Sequence, residues 1–512
     1  MRWRGRHPLN GQVNMDPGTR TPPLHRRLDT ATGMILLFLT VWAPWAFGGT
    51  VWWSSWMLTG LGGVLGALFL AKHVVRWRTG YAPARWVNPT PAGSWVVRGL
   101  AVLTLVILEY LLVSWVNARA SLLIGHRGVD LLYRSHTPWT GLPTTYDAPA
   151  TLRTLTAMTS LTLILWSARD WLLTRSRHER HADEPVSFPP ARLRRLLWTL
   201  CISSGVLAVV SIAQRLDGTD RLLWIRRIPI PWQLSPVVAN PSSQSWGPFP
   251  SRANGAAYFN LVWPVALGFW WALQRSRTRS SAVARRIGSD ASVMLLPALI
   301  LMMVCPLLAG SRSGAVQCVG LMGVSLLAFA IHRSSGGLRK LCATLGVVFL
   351  MILPAILLPT PLQRMFHGVY EDSLPNRTAV DAVTQRMAGE AGLLGTGAGS
   401  YSGLYSLYRS GPDEPWLTHA HNDWMESRIT LGVFGTALFS GALVLLVVAW
   451  RCNRGLRAPQ EFLWMLGASL AAGLIYAFFE YPFQVPALAF LFVLLAAVGL
   501  ASAGTGKDII EG

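Results

Sequence analysis

The chain has 512 residues, of which 52% are hydrophobic and only 13% are charged. A soluble domain carries about 25% charged residues, so this composition excludes an ordinary soluble protein, and it equally excludes a disordered, collagen-like or coiled-coil chain. The 45 Lys and Arg residues outnumber the 24 acidic residues, for a net charge of +21. Because most basic residues fall between apolar stretches, they indicate orientation in a membrane rather than nucleic-acid binding.

Twelve apolar stretches approach the length of about 20 residues that crosses a bilayer. Each is predicted to be a transmembrane helix, so the expected fold class is an all-α polytopic membrane protein. The stretches are 31–50, 53–71, 97–117, 152–173, 196–214, 253–273, 291–309, 314–331, 341–359, 424–450, 461–480 and 484–503. They form one transmembrane domain, 31–503, between a basic tail at 1–30 and a short tail at 504–512.

The distribution of basic residues predicts the orientation. With the N-terminus inside, the inner segments and their edges carry 30 of the 45 Lys and Arg residues, and the outer segments carry 15. The positive-inside rule therefore predicts that both termini are cytoplasmic. The first apolar stretch lacks a convincing small-residue cleavage site and is predicted to be a retained span. The five cysteines lie in or beside apolar stretches without a Cys-x-x-Cys pair, so neither a disulfide framework nor a zinc site is expected.

The segment 360–423 is the longest on the predicted outer side, and loops of this length usually carry function. Residues 376–390 within it predict an amphipathic helix, with Val380, Val383 and Met387 on one face. The loop is therefore expected to be partly helical.

A glycine-rich stretch, 392–399, follows this helix and includes Gly397 and Gly399. It lacks the Gly-Lys-Ser/Thr of a nucleotide-binding loop. A helix stop and turn is the simpler interpretation.

Polar residues that the predicted topology assigns to the outer side come from stretches far apart in the sequence. They are Arg252, Arg312, Arg377, His419, His421, Glu480 and Glu109. An Arg within the hydrocarbon costs about 2.5–3.5 kcal/mol or more. Arg312, in a short turn between two spans, is therefore expected to face a polar cavity, and we expect a site at the outer face.

Several of these residues also have a structural interpretation. Arg252 can extend its side chain to the lipid headgroups. Asn422 or Asp423 can cap the helix that follows, although capping does not explain His421. The two glutamates of this set can pair with buried arginines. These alternatives remain open at the level of the sequence.

Several arginines with one histidine form a poor metal site, because a guanidinium stays protonated and only donates hydrogen bonds. The same side chains suit a phosphate or diphosphate. A neutral histidine can then act as general base on an acceptor hydroxyl. The sequence has no Asp-x-Asp pair, and the adjacent pairs Glu371-Asp372 and Asp413-Glu414 are predicted to be solvated. The pattern predicts transfer from a phosphate-activated lipid donor without a metal or cofactor, with arginines stabilising the charge.

The stretch that begins at His421 resembles the His-Asn-Asp-Tyr-Leu…Gly-x-x-Gly signature of the O-antigen ligase and polymerase family. It reads His421-Asn-Asp-Trp-Met-Glu-Ser-Arg-Ile-Thr-Leu-Gly-Val-Phe-Gly435. Other stretches resemble the family's motifs in the same order. They are Ala43-Pro-Trp-Ala-Phe-Gly-Gly49, Gly247-Pro-Phe-Pro-Ser-Arg-Ala-Asn254, Gly310-Ser-Arg-Ser-Gly314, the segment from Arg377 through Gly399, and Phe479-Glu-Tyr-Pro-Phe483 followed by Pro486-Ala-Leu-Ala489.

The resemblance implies a C-type membrane glycosyltransferase that uses an undecaprenyl-diphosphate-linked glycan without a metal and inverts the anomeric carbon. By matched position, Arg312 and Arg377 would bind the diphosphate, and His421 would deprotonate the acceptor hydroxyl. Further substrate contacts are expected from Arg252, Asn422, Asp423, Glu480, Gly397 and Gly399.

The sequence departs from the family pattern at four positions in three of these stretches. It has Ser251-Arg-Ala253 where the family reads Asn-Arg-Asn. Trp424 stands where Tyr is usual, and Glu480 stands where Asp is frequent.

The expected function is transfer of a lipid-linked oligosaccharide to a hydroxyl at the outer face of a bacterial inner membrane. The second partner would be a saccharide or a lipid A-core-like acceptor, and no nucleic acid is expected. Ligase, polymerase and protein O-oligosaccharyltransferase remain alternatives, because they share this core. A twelve-span transporter or flippase of lipid-linked glycan is an alternative from another class. Transporters tend to show repeated halves and polar sites at the midplane, and neither is found in the sequence.

Overall fold

The computed structural model describes residues 21–85, 91–125, 128–134, 139–175, 188–219, 221–227, 245–277, 282–333, 374–408, 418–452 and 456–504. Helices dominate these residues. They are α1 (Pro23–Trp45), α2 (Trp52–Thr79), α3 (Pro91–Val116), α4 (Ala148–Leu173), α5 (Ala191–Asp217), α6 (Arg252–Arg277), α7 (Ala282–Leu308), α8 (Arg312–Arg333), α9 (Leu374–Glu390), α10 (Tyr401–Tyr408), α11 (Asp423–Thr430), α12 (Gly432–Cys452), α13 (Gln460–Tyr476) and α14 (Pro486–Ala501).

Short strands accompany the helices in two-stranded pairs, which the sequence did not predict. The antiparallel pairs are β1 (Ala120–Gly125) with β2 (Gly128–Tyr133) and β3 (Arg221–Leu222) with β4 (Arg226–Arg227), and the parallel pair is β5 (Leu456–Ala458) with β6 (Ser502–Gly504). The first two pairs lie in the long segments 118–151 and 215–252 that connect helices. They fold these connections locally and leave the bundle itself helical.

Seven helices in the described part of the chain are long and apolar enough to cross a membrane. They are α1, α2, α3, α5, α6, α8 and α12. This confirms the prediction of an all-α polytopic membrane protein. The ninth predicted span, 341–359, lies outside the described residues, and every other predicted span overlaps one or two helices. The count of twelve spans and the orientation in the membrane stay predictions.

The tenth predicted span was expected to be one helix, and in this detail the prediction was wrong. The chain forms α11 and α12, with a break before Gly432, whose φ of 69° suits a residue without a Cβ. The carbonyls at the end of α11 accept hydrogen bonds from the glycine-rich stretch. The Thr396 N–H donates to the Ile429 carbonyl at 3.0 Å, and the Gly397 N–H donates to the Thr430 carbonyl at 2.9 Å. The break is therefore where the long loop docks on the bundle.

The central helix of the bundle is α6, whose side chains are buried around nearly the whole helix. Phe259, Trp263 and Phe269 are completely buried. Helix α13 approaches so closely that a Cβ on Gly268 would lie 3.0 Å from the Met465 Cβ. Small residues permit this approach between helices in a membrane, where apolar burial gives little drive for association.

The long loop has a small apolar core of its own. Helix α9 contributes Val380, Val383 and Met387, as its predicted amphipathic pattern requires. Tyr401 of α10 and Ile429 of α11 complete the contacts. Residues 374–408 of the loop thus pack together on α11, and α10 is a helix that the sequence did not predict.

Charged side chains form a buried network where α1 and α5 begin and α2 and α4 end. Lys72, which is completely buried, lies 3.1 Å from Asp170 and 3.5 Å from Asp29. Arg76 donates two hydrogen bonds of 2.8 Å to the Asp170 carboxylate. Arg192 contacts Asp29 at 2.5 Å. The network joins helix ends that the distribution of basic residues assigns to the inner side.

Asp170→Asn is expected to lower the unfolding temperature strongly. The substitution removes the charge that neutralises Lys72 and Arg76, and breaking a buried ion pair costs about 3–5 kcal/mol. The measurement is thermal unfolding of the purified protein in detergent. Asp381→Asn, at an exposed position of α9, is the control and should change the unfolding temperature little. Equal unfolding temperatures of the two variants would show that the network does not stabilise the fold.

Candidate functional site

Several segments meet at the end of the bundle where α6 and α8 begin and α13 ends. The buried Tyr476 hydroxyl donates to the Ala253 carbonyl at 2.9 Å and accepts a hydrogen bond from Ser313 at 3.2 Å. The hydroxyl of Tyr481, just beyond α13, bonds with the side chain of Asn254. Hydrogen bonds of two tyrosines thus connect three of the sequence stretches that carry predicted site residues.

His421 joins this region through Glu480. The residue lies in the histidine loop, residues 418–422, and its Nδ1 is 3.0 Å from Glu480 Oε2. The Glu480 side chain is 6% exposed, whereas the His421 side chain is 37% exposed. With the carboxylate as acceptor, Nδ1 carries the ring proton and Nε2 keeps a lone pair. This pairing gives the predicted base the tautomer that a base needs.

The backbone of His421 has a φ of 51°, a left-handed conformation that is uncommon for a residue with a Cβ. The residues that follow hold this conformation. The Asn422 side chain caps α11 by accepting from the Met425 N–H at 3.0 Å, and the Asp423 N–H donates to the Ala477 carbonyl at 2.8 Å. The interpretation of Asn422 as a helix cap is confirmed, while substrate contacts by Asn422 and Asp423 stay predictions.

Glu426 of α11 holds the other side of the histidine loop. One carboxylate oxygen accepts from the Ala420 N–H at 3.0 Å, and the other lies 3.3 Å from His419 Nδ1. Burial lowers the pKa of His419, but the charge and hydrogen bond of Glu426 outweigh this effect and raise the pKa overall. The Tyr481 ring stacks on His419 with centroids 4.8 Å apart and stands edge-on to His421 at 5.0 Å.

Arginine side chains gather at the turn between α7 and α8. Arg252 is the first residue of α6, and Arg312 is the first residue of α8. A Cβ built on Gly310, whose φ is 74°, would lie 3.8 Å from Arg252 Nη1 and 3.5 Å from Arg215 Nη2. The structure therefore brings together two predicted arginines and one that was not predicted. We call Arg215, Arg252 and Arg312 the arginine cluster.

The site residues predicted from the sequence did not include Arg215, although the sequence carries a signal for it. It lies in the last turn of α5, at the first position of the long segment 215–252 that the charge distribution assigns to the outer side. A single Arg at the end of an apolar helix commonly reaches the headgroups, so its position alone did not single it out. Its approach to the Gly310 turn emerges only in the fold.

The other predicted site residues come from α9, the glycine-rich stretch and α3. Arg377 belongs to the first turn of α9. Gly397 and Gly399 lie at the opposite end of α11 from the histidine loop, and an eight-residue helix rises about 12 Å. A Cβ on Gly397 would come 2.0 Å from the Thr145 Oγ1, so close packing requires glycine there. Glu109 is exposed on α3 and forms no ion pair with another described residue.

The fold and the site define a polytopic all-α membrane protein with a His–Glu pair and an arginine cluster at one end of the bundle. Residues 297–440 match the family model described as O-antigen ligase. This match supports the resemblance to the O-antigen ligase and polymerase family that the sequence carries. The matched segment contains Arg312 and His421 but neither Arg252 nor Glu480. Among curated proteins, none matches the chain.

The raised pKa of the Asp423 carboxyl predicts that the stability of the protein depends on pH. Burial raises the pKa of its carboxyl from 3.8 to about 7, although the hydrogen bond from the Phe483 N–H acts in the opposite direction. The folded protein therefore binds this proton more tightly than the unfolded chain does. The stabilisation is complete below about pH 3.8 and is lost as the pH rises through about 7.

Asp423→Asn keeps an acceptor for the Phe483 N–H and removes the titrating group. Thermal unfolding measured between about pH 4 and pH 8 should show a smaller decline in the variant than in the wild type. Asp381→Asn is the matched control on an exposed acid and should keep the wild-type slope. A wild-type slope in Asp423→Asn would rule out this carboxyl as the source.

Gly397→Ala is expected to destabilise the protein more than Gly392→Ala. Both positions have positive φ, 102° and 65°, and a left-handed alanine costs about 1–2 kcal/mol in either. Only the first alanine also meets Thr145, because nothing lies within 4 Å of a Cβ on Gly392. The unfolding temperature in detergent measures the difference. Equal effects of the two substitutions would contradict the close packing at Thr145.

Proposed function

We propose that this protein transfers a glycan from a lipid-linked diphosphate to an acceptor hydroxyl at the outer face of a bacterial inner membrane. The observation that carries the proposal is the hydrogen bond between His421 and Glu480. Tyr481 joins this pair to Asn254, two residues after Arg252 of the arginine cluster. The match to the O-antigen ligase family supports a glycosyltransferase of this general type. The donor is an undecaprenyl-diphosphate-linked glycan, and the acceptor is a saccharide or a lipid A-core-like molecule.

His421 acts as the general base in this proposal. Its Nε2 takes the proton of the acceptor hydroxyl while the hydroxyl oxygen attacks the anomeric carbon of the donor. The new carbon–oxygen bond forms as the bond from the anomeric carbon to the diphosphate oxygen breaks, so the anomeric configuration is inverted. The electron pair of the broken bond leaves with the diphosphate. A positioned base of this kind contributes about 10²–10⁴-fold to the rate.

Glu480 is a positioning residue for this base. Its buried carboxylate accepts from Nδ1–H and so fixes both the ring orientation and the tautomer of His421. The positive charge that forms on the ring during transfer lies next to this carboxylate and is stabilised by it.

The arginine cluster binds the diphosphate and stabilises it as a leaving group. A guanidinium is always charged and can bind phosphate oxygens through two parallel hydrogen bonds. Arg252 and Arg312 also stand at the first positions of long helices, where the backbone N–H groups favour anions. Arg377 of α9 is proposed to reach the same diphosphate. In the proposed reaction the arginines stabilise the leaving group, and no metal ion is needed.

The first test is single-turnover transfer in detergent with EDTA present, followed by the release of undecaprenyl diphosphate. His421→Ala should lower the rate about 10²–10⁴-fold. His73→Ala, which removes an exposed histidine of α2, is the matched control and should keep the wild-type rate. Glu480→Gln should cause a smaller loss than His421→Ala, because the base remains but loses its orientation.

The outcomes separate the alternatives. If His421→Ala turns over at the wild-type rate, the histidine is a loop residue and the assignment of the base fails. Loss of wild-type transfer in EDTA would contradict the metal-independent reaction. Movement of intact donor across proteoliposomes without its consumption would identify a transporter instead. Products of stepped lengths would indicate a polymerase, and a single addition to a core acceptor would indicate a ligase.

Arg215→Ala tests the member of the cluster that the sequence did not predict. A hydrogen bond to a charged group is worth about 1.5–3 kcal/mol, so kcat/KM for the donor should fall about 10- to 100-fold. Arg26→Ala, which removes an exposed arginine at the start of α1, should leave kcat/KM unchanged. Wild-type kcat/KM in Arg215→Ala would exclude this residue from the diphosphate site.

A further inference from the structure

A groove of about 630 Å³ runs between α1 and α5 on the surface of the bundle. It is lined by apolar side chains spaced four residues apart on each helix. They are Leu37, Val41 and Trp45 on α1 and Trp198, Ile202 and Val206 on α5. This spacing puts each set on one face of its helix. Ile202 and Val206 are 59% and 51% exposed, so the groove is open along its length.

A hydrogen bond joins the two helices toward one end of the groove, and the other end is positively charged. Trp45 Nε1 donates to the Ser203 hydroxyl at 3.1 Å, which joins the two helices near the end of α1. Arg194 and Arg195, both exposed, line the opposite end, near the start of α5. The groove is therefore apolar along its length and positively charged at one mouth.

The arginines at this mouth differ from their neighbour. Arg192, two residues earlier on α5, contacts Asp29 in the buried charged network. Neither Arg194 nor Arg195 forms an ion pair with a residue that the structure describes. Their charges face the groove and its surroundings rather than a carboxylate of the bundle.

We propose that this groove binds an acidic glycerophospholipid, with the phosphate at Arg194 and Arg195 and an acyl chain along α5. The helix rises about 18 Å from Arg194 to Val206, which is close to half of the about 30 Å hydrocarbon core of a bilayer. One acyl chain from the leaflet at the arginine end therefore fits the length. Basic pockets between transmembrane helices bind acidic lipid headgroups in the same way.

The bound lipid contacts both α1 and α5. These helices begin in the charged network, and α5 carries Arg215 in its last turn, so the lipid stabilises the pair of helices along their middle. A ligand that binds only the folded state raises stability with its concentration. The inference does not depend on the proposed glycan transfer.

The full chain, purified in detergent, is titrated with phosphatidylglycerol or with phosphatidylcholine, and bound lipid is counted by native mass spectrometry. Wild-type protein should bind phosphatidylglycerol preferentially. The double variant Arg194→Gln/Arg195→Gln should bind it about 30-fold more weakly, the loss expected from two basic residues at a lipid surface. Arg26→Gln/Arg27→Gln, which changes two exposed arginines outside the groove at the start of α1, should bind like the wild type.

Thr199→Phe provides an independent test, because it fills the groove and keeps both arginines. It should also lose phosphatidylglycerol binding while its lipid-free unfolding temperature stays near that of the wild type. Equal binding of the two lipids, or equal weakening by the Arg26→Gln/Arg27→Gln control, would overturn the proposal. Displacement of phosphatidylglycerol by undecaprenyl phosphate would overturn it as well and assign the groove to the donor lipid.

Discussion

The hydrogen bond between His421 and Glu480 organises the end of the bundle where α6 and α8 begin. A histidine with positive φ does not keep that conformation by itself, so the surrounding structure has to impose it. Glu426 fixes the residues before the histidine, and Asn422 and Asp423 fix those after it. Hydrogen bonds on both sides of His421 therefore fix the conformation of the histidine loop. Glu480 then sets the orientation of the His421 ring.

The two ends of the bundle use charge in different ways. At the end where α1 and α5 begin, the buried acids contact Lys and Arg, as in Asp170 with Lys72 and Glu461 with Arg275. At the other end the buried glutamates contact histidines, and the arginine cluster gathers at a glycine turn. Matched opposite charges stabilise a fold, and arginine side chains gathered near one turn suit a phosphate. The contrast supports the proposal that a diphosphate binds at the end of the bundle that holds His421 and Glu480.

The sequence predicted the features that depend on local signals. Apolar length predicted the helices, the amphipathic pattern predicted α9, and the residue types at 421–423 predicted a cap on α11. The break before Gly432 could not be predicted, because a glycine in an apolar run is compatible with a helix. It depends on hydrogen bonds from the glycine-rich stretch, which is distant in the sequence. The buried network was equally hidden, since basic residues at the edges of spans look like markers of orientation.

The site extends beyond the segment that matches the O-antigen ligase family. Residues 297–440 contain His421 and Arg312, whereas Glu480 lies four residues beyond the end of α13, and two members of the arginine cluster come from α5 and α6. The hydrogen bond from the Asp423 N–H to the Ala477 carbonyl fixes α11 against α13 and so sets the distance between histidine and glutamate. Since α13 in turn packs along the central α6, the geometry of the His421–Glu480 pair depends on the packing of the whole bundle. A change in that packing would move Glu480 relative to His421 while leaving every residue of the matched segment unaltered.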